Sequence, residues 1–294
     1  MAGSGICSSD SGSESAVIIK NHAVPKGAAF FIGETMKLSP SSIIQNLKVP
    51  DITVETYDSL PSTNTLAKER ARAGAPHGLV IAAAHQTAGR GRMGREFYSP
   101  ADSGIYFSVL LRPTFSPQDC LLITTAAAVA CARVLDCYTE HPVQIKWVND
   151  LYVNNKKICG ILTEASFKSE KEIDYAILGI GINLTPPKDG FPDDILHKAG
   201  VLLDADAPDL RGQICAEVIN AFFDLYHDLT SRTYVTEYQS RSYLDGKAID
   251  VIKNDGIIPG TAVRICDDLT LLVRYSDGTT EQLSTGDVSI RNIK

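Results

Sequence analysis

Apolar and polar positions fall into short blocks along this chain, and from about residue 51 the blocks switch regularly between the period of a strand and that of a helix. "ITVETYDSL" (52–60) alternates as a strand does and stops at Pro61. "STNTLAKERARAG" takes helical spacing, with Ser62 or Thr63 near its start and Gly74 ending it. "GLVIAAAHQ" (78–86) and "GIYFSVLLRP" (104–113) are continuous apolar runs, the pattern of strands buried on both faces. "SPQDCLLITTAAAVACARVLDCY" predicts a helix capped by Ser116, with Pro117 in its first turn and Asp119 three residues after the cap. "VQIKW", a turn through Asn154-Asn155 and "ICGILTEASF" predict a hairpin. "DYAILGIGINL" (174–184) is a further strand, and its two glycines let something approach the backbone closely. A polar, proline-rich crossing (185 to about 207) leads to the helix "PDLRGQICAEVINAFFDLYHDL".

The ends differ from this middle. Residues 1–50 read as an N-terminal extension and linker: the first 16 are Ser/Gly-rich and expected to be disordered, while 17–50 leave room for a short strand or two and a short capped helix in "SPSSIIQNL". Residues 51–240 form one α/β domain by their alternation. Residues 241–294 hold only short strands ("AIDVI", "GTAVRICD", "TLLVRYS", "TTEQL", "DVSIR") with a tight turn at Asp277-Gly278, which predicts a small β barrel.

Charge narrows the partners. A formal net charge of -7 argues against a general nucleic-acid coat or an anionic membrane surface, but leaves room for a local basic pocket. The seven cysteines include no CxxC pair and the six histidines no HxxxH or HxxH, so no metal site is expected and reduced thiols in a cytoplasmic protein fit best. No secretory signal opens the chain, and no apolar run of the ~18 residues that span a bilayer is evident.

Three stretches carry chemistry. "HQTAGRGRMGREFY" (85–98) places Gly89, Gly91 and Gly94 between Arg90, Arg92 and Arg95 directly after an apolar strand. Glycines let backbone N–H groups face an anion and arginines bring fixed planar donors, so an anion-binding loop competes with a solvated turn or linker. "KWVND" (146–150), Lys157 and "GILTE" (160–164) surround a turn: Asp150 is either a turn residue or part of a site, Lys157 an edge lysine or a charge neutraliser, and Trp147 core or ligand contact. Glu164 caps or pairs with a lysine. At least one side chain of "STN" (62–64) is expected to cap a helix, and the others either stay structural or hydrogen-bond a neutral polar ligand. No Ser/His/Asp triad, nucleophile elbow, phosphate loop or dinucleotide fingerprint is present. Without a protein nucleophile, arginines, a lysine and an acidic turn suit a reaction between two bound anions, of which carboxylate activation by ATP is the type.

Taken together, "DSLPSTNTLAKE", "HQTAGRGRMGREFYSP", "KWVNDLYVNNKKICGILTE" and "LGIGINL" resemble, in order and spacing, the biotin protein ligase (biotin–[acetyl-CoA-carboxylase] ligase, holocarboxylase synthetase) family over about residues 51–294. The resemblance implies a mixed-sheet α/β (α+β) catalytic domain like that of class II aminoacyl-tRNA synthetases, followed by a small SH3-like β barrel. It implies formation of biotinyl-5′-AMP from biotin and MgATP, then transfer of biotin to a lysine of a biotin carboxyl carrier domain. Related readings are a lipoate-type acyl-ligase and a bifunctional biotin-operon regulator. Carried over by motif, Ser62, Thr63, Asn64, Gln86, Gly89, Arg90, Arg92, Lys157 and Gly160 would meet biotin. Arg90, Arg92, Arg95, Lys146, Trp147, Asn149 and Asn183 would meet the nucleotide, and Lys157, Arg92 and Asp150 would carry the catalysis. Phe191 is the candidate to stack on adenine. The backbone from Gly179 to Asn183 would help form the floor of the site. Val148 stands where the family usually has proline, and the short N-terminal stretch implies no specific DNA operator. No membrane partner is expected, and a homodimer is open.

Overall fold

The computed structural model describes residues 17–20, 38–205, 207–253, 256–284 and 286–291. The expectation of disorder over residues 1–16 lies outside them. Within the stretch read as extension and linker, Val17–Lys20 forms a strand, β1, and Pro40–Ile44 a helix, α1. Ser39 and Ser42 form a reciprocal capping box on α1, and Ile43 is fully buried, so this stretch is partly built into the body of the fold.

The strands β2 (Thr53–Tyr57), β3 (Leu79–Ala83) and β4 (Gly104–Leu111) follow, with helix α2 (Thr63–Arg72) between the first two. Helix α3 (Cys120–Leu135) precedes β5 (Gln144–Lys146), β6 (Asp150–Val153) and the long hairpin β7 (Lys156–Ser169) and β8 (Glu172–Asn183). Helices α4 (Asp193–Leu196), α5 (Leu210–Tyr226) and α6 (Val235–Ser240) complete this part. Its strands form one sheet in the order β1-β2-β3-β4-β8-β7-β6-β5. Only the β2–β3 pair is parallel, as a crossover through α2 requires; the other neighbours are antiparallel. The sheet is therefore mixed. Every residue of β3 and β4 is buried, as their unbroken apolar runs demand.

Helices pack on both faces. Ala67 and Ala71 of α2 meet Tyr57, Ile81, Leu110 and Ile177 on one face. On the other, α3 and α5 enclose a larger core with Val54, Val80, Phe107, Leu178 and Ile180. Pro117–Tyr138, which includes α3, is long and apolar enough to cross a membrane, contrary to the expectation that no such run exists; here it is a core helix, its sequence apolar because it is buried on nearly all sides. Its start also differs. Pro117–Asp119 is a 3₁₀ turn, and Ser116 makes no capping bond, its hydroxyl turning to the Gln118 side chain. Asn154 and Asn155 take positive φ (49° and 61°) in the β6–β7 turn, the conformation that Asn tolerates.

The C-terminal strands β9 (Ala248–Lys253), β10 (Gly256–Ile265), β11 (Leu271–Tyr275), β12 (Thr280–Leu283) and β13 (Asp287–Ile290) form a five-stranded antiparallel sheet ordered β12-β11-β10-β9-β13, which fits an SH3-like barrel. It shares one continuous core with the larger part. Trp147 donates its indole N–H to the Leu269 carbonyl at 2.9 Å, and Tyr238 its hydroxyl to the Val148 carbonyl at 3.0 Å.

Candidate active site

The sheet carries a bare patch on its α2 face. Gly160 of β7 pairs with Gly181 of β8, and Gly179 lies opposite both Leu162 and Ser108. A Cβ on Gly181 would stand 2.4 Å from the Phe97 ring, one on Gly160 2.9 Å from it, and one on Gly179 2.1 Å from Asn64 Oδ1. A side chain at any of the three would force Phe97 or Asn64 to move. The patch is the floor of a narrow cavity, with room of about 50 Å3.

The end wall of this cavity is the start of α2. Ser62 occupies the N-cap position but makes no side-chain capping bond. Gln86, arriving from the end of β3, does that work instead: its Oε1 accepts the Thr63 backbone N–H at 2.9 Å, and its Nε2 donates to Ser99 Oγ at 2.9 Å. Capping by a distant residue leaves the Ser62 hydroxyl to the cavity. Asn64 donates to Glu164 Oε2 at 2.9 Å, and the buried Ser108 hydroxyl lies 2.6 Å from Asn64 Oδ1 and 2.7 Å from Thr63 Oγ1.

The glycine–arginine loop forms the roof. It folds back on itself: Phe97 N–H donates to the Gly89 carbonyl, and Gly91 N–H to the Arg95 carbonyl. A side chain at Gly89 would collide with Phe97 O at 2.2 Å, so Gly89 shapes the loop and does not line the cavity. Arg90 pairs with Glu164 at 3.0 Å. Arg92 donates to Asn149 Oδ1 at 2.9 Å and to the Gly286 carbonyl of the C-terminal sheet at 3.1 Å. Asn149 also donates to Asp150 Oδ1 and to the Ile161 carbonyl, and Lys157 reaches Asp150 Oδ1 at 2.7 Å. The Trp147–Val148 peptide before this turn is cis. Burial acts to raise the Glu164 pKa, but hydrogen bonds from Lys68 and Asn64 and the charges of Lys68 and Arg90 prevail and hold it below the usual glutamate value.

A second cavity, about 1230 Å3 of more open space, adjoins the first. Lys157 and Phe97 line both. Arg95, Lys146, Asp150, Asn183 and Phe191 line the second, with Ile252, Val288 and Ser289 of the C-terminal sheet closing one side. Phe191 meets Tyr98 edge-on with ring centroids 6.3 Å apart.

The structure thus gathers Ser62, Thr63, Asn64, Gln86, Arg90, Arg92, Asn149, Lys157 and Gly160 around the first cavity and the remaining expected residues around the second, with two exceptions. Gly89 is one. Trp147 is the other: it lines neither cavity, because it is buried with its indole N–H engaged by Leu269, so the expected contact with nucleotide is corrected to a contact between the two sheets. The expectation that one of residues 62–64 caps α2 with its side chain gives way to the Gln86 cap. Phe97, Ser99 and Ser108 were not singled out by the sequence, although Phe97 lies within the quoted loop motif. The three barrel residues carry no local signal at all. Among the described residues no cluster of three or more His, Cys, Asp or Glu could hold a metal ion.

Comparison with known proteins bears on this arrangement. The profile of the Biotin/lipoate A/B protein ligase family matches residues 57–183. The chain is 32% identical over 248 residues to the bifunctional ligase/repressor BirA of Bacillus subtilis, covering 82% of this chain and 76% of that protein. It is 30% identical over 236 residues to the biotin–[acetyl-CoA-carboxylase] ligase of Mycobacterium tuberculosis, covering 77% and 85%. Among solved structures, the biotin protein ligase from Aquifex aeolicus in complex with biotin and ATP superposes with a TM-score of 0.65 at 26% identity, over 81% of this chain and 98% of that one. The chain belongs to the biotin/lipoate A/B protein ligase family.

Proposed function

We propose that this chain is an ATP-dependent biotin protein ligase that makes biotinyl-5′-AMP and then biotinylates a lysine of a biotin carboxyl carrier domain. The observation that carries the proposal is the pair of adjoining cavities that share Lys157. The first has a glycine floor and a polar end wall, suited to a flat ring system with a urea-like head. The second is open, cationic and aromatic-sided, suited to a nucleoside triphosphate. The names of its relatives point to the same ligands.

In this reading the Phe97 ring, which lies against Gly160 and Gly181, swings aside and biotin takes its place, with its ureido ring against Ser62, Thr63 and Asn64, and its carboxylate toward Lys157. ATP takes the second cavity, bringing Mg2+ on its phosphates, with Arg95, Lys146 and Asn183 alongside and its base near Phe191 or Phe97. A carboxylate oxygen attacks the α-phosphorus, the bond to the β-phosphate oxygen breaks, and pyrophosphate leaves. Lys157 stands at the junction and offsets the charge growing on the phosphoryl oxygens, while Arg92 holds the roof closed over the product. The mixed anhydride is then attacked by the neutral amine of the acceptor lysine. AMP departs with the bonding electron pair, and Asp150 accepts the amine's proton or orients the amine.

Mass spectrometry of the chain with biotin and MgATP, and then with a carrier domain, tests this. Biotinyl-AMP followed by a biotinylated carrier is the expected result. If lipoate is activated in place of biotin, or if folded protein forms no adenylate, the proposal is wrong.

A further inference from the structure

Two arginines of the roof reach across to the body of the fold. Arg92 does so through Asn149 and the Gly286 carbonyl, and Arg90 through Glu164 of β7. The second contact is shared. Glu164 stands on the same face of β7 as Gly160 and Leu162, at the end of the glycine floor, because alternate strand residues point the same way. Asn64 and Lys68, one helical turn apart on α2, both face it. Asn64 donates to Glu164 Oε2 at 2.9 Å, whereas Lys68 at 2.5 Å and Arg90 at 3.0 Å both donate to Oε1. One oxygen therefore serves two cations, one on the fixed wall and one on the loop. Lys68 takes part of the charge that Arg90 uses and repels the guanidinium besides. The Lys68 and Glu164 side chains are 23% and 20% exposed, but that of Arg90 is 48% exposed. The loop-side bond is thus the weaker of the two and the one that gives when the roof lifts.

We infer that Glu164 is a latch for the roof and that Lys68 sets its strength, so that the pair governs how long a ligand stays under the glycine–arginine loop. The inference rests on the proposed function, which supplies the ligand. Glu164 and Lys68 are positioning residues: neither lines the cavity, and both act through Arg90.

A roof that closes over a water-sensitive adenylate must also open to admit the carrier lysine, and the two demands oppose each other. A carboxylate shared between a wall lysine and a loop arginine meets both, because it holds the loop without fixing it. Lys68→Met gives Arg90 the whole carboxylate, which tightens the latch and slows both ligand release and transfer. Arg90→Gln opens the latch and leaves Lys68 nothing to modulate.

The test is a double-mutant cycle on the release of tritiated biotin, chased with excess unlabelled biotin in the absence of ATP. Lys68→Met should slow release about two- to fivefold, the range that a half-exposed ion pair supports, and Lys68→Arg should restore the wild-type rate. In an Arg90→Gln background, where release is faster, Lys68→Met should change it by less than about 1.5-fold. An equal change in both backgrounds would make Lys68 a structural residue of α2 and overturns the inference. Faster release in Lys68→Met also overturns it, since Arg90 would then leave Glu164 when ligand binds. The sign in Lys68→Met decides alone if Arg90→Gln releases biotin too fast to time. A wild-type chain that binds no biotin removes the proposed function, whereas one that binds biotin and releases it as Lys68→Met does removes the latch only.

Discussion

Arg92 lies in the glycine–arginine loop, and one of its terminal nitrogens donates to the carbonyl of Gly286, 194 residues further on, while the other holds Asn149. One guanidinium thus joins the roof of the site, the turn after β5 and the C-terminal sheet. Arg92→Ala should lower the rate of adenylate formation by roughly 10²–10³, the loss typical of a preorganised donor at a developing anion. Its unfolding midpoint should stay close to that of the wild type. Pyrophosphate release and thermal unfolding measure the two. Near wild-type turnover would show that the loop closes without it.

Lys157 and Asp150 are 2.7 Å apart but should fail differently. Lys157→Met should abolish the first half-reaction, because the junction of the two cavities loses its charge. Asp150→Asn keeps a hydrogen-bond acceptor for Lys157 and should leave adenylate formation within about tenfold while slowing transfer to the carrier lysine more, by the roughly 10²–10⁴ usual for a general base. Single-turnover transfer from preformed adenylate separates the steps. Equal loss in both would remove Asp150 from the second one.

The two glycines of β8 offer a paired comparison. Gly181→Ala sets a methyl 2.4 Å from the Phe97 ring, which belongs to a loop and can shift. Gly179→Ala sets one 2.1 Å from Asn64 Oδ1, on a side chain pinned by Glu164 and Ser108. The first should raise KM for biotin and cost ~1 kcal/mol of stability, and the second should cost nearer ~3 kcal/mol, the span found for overpacked cores. Denaturant titrations that rank the two in the opposite order would show Phe97 to be the more rigid neighbour.

Far from the site, His77 stacks on Tyr226 with centroids 5.7 Å apart, and its Nδ1 accepts the Arg112 backbone N–H at 3.1 Å. Burial, and then the nearby His227, lower its pKa from the ordinary 6.5. The folded state therefore prefers the neutral ring. Its contribution to stability is complete above pH 6.5 and is lost as the pH falls from there through the lowered folded value, because the unfolded chain binds the proton first. Urea unfolding at pH 7.5 and at pH about 5 should show a smaller difference in His77→Gln than in the wild type. An unchanged difference would assign the acid sensitivity to other groups.

Much of the sheet was legible because its strands obey simple rules. The apolar runs at 78–86 and 104–113 became fully buried strands, and Asn154-Asn155 supplied the turn their conformational tolerance suggests. The short helices α4 and α6 were not legible, since a proline-rich crossing and a six-residue segment offer too few turns for a period to register. In the site, Arg92 stood out because charge beside glycine is unusual at an apolar strand's end, while Lys157 and Asn149 came with the "KWVND" stretch and the resemblance it carries. Ser108 was hidden inside a run read only as apolar, and Glu164 was read as a cap or a lysine partner. What makes them matter is contact across 44 and 100 residues of chain, which no local window contains. Trp147 misled for the converse reason: it sits in a motif of site residues but points away from them into the joint between the sheets.

The Gln86 side chain closes the first turn of α2 from outside the helix. The amide proton of Thr63 is therefore sheltered only while the end of β3 keeps its shape. Its exchange with deuterium becomes a clock on the loop that needs no substrate and no turnover. A ligand that orders the loop should slow that single proton more than its neighbours further along the helix, so the first turn of α2 reports whether the roof is shut.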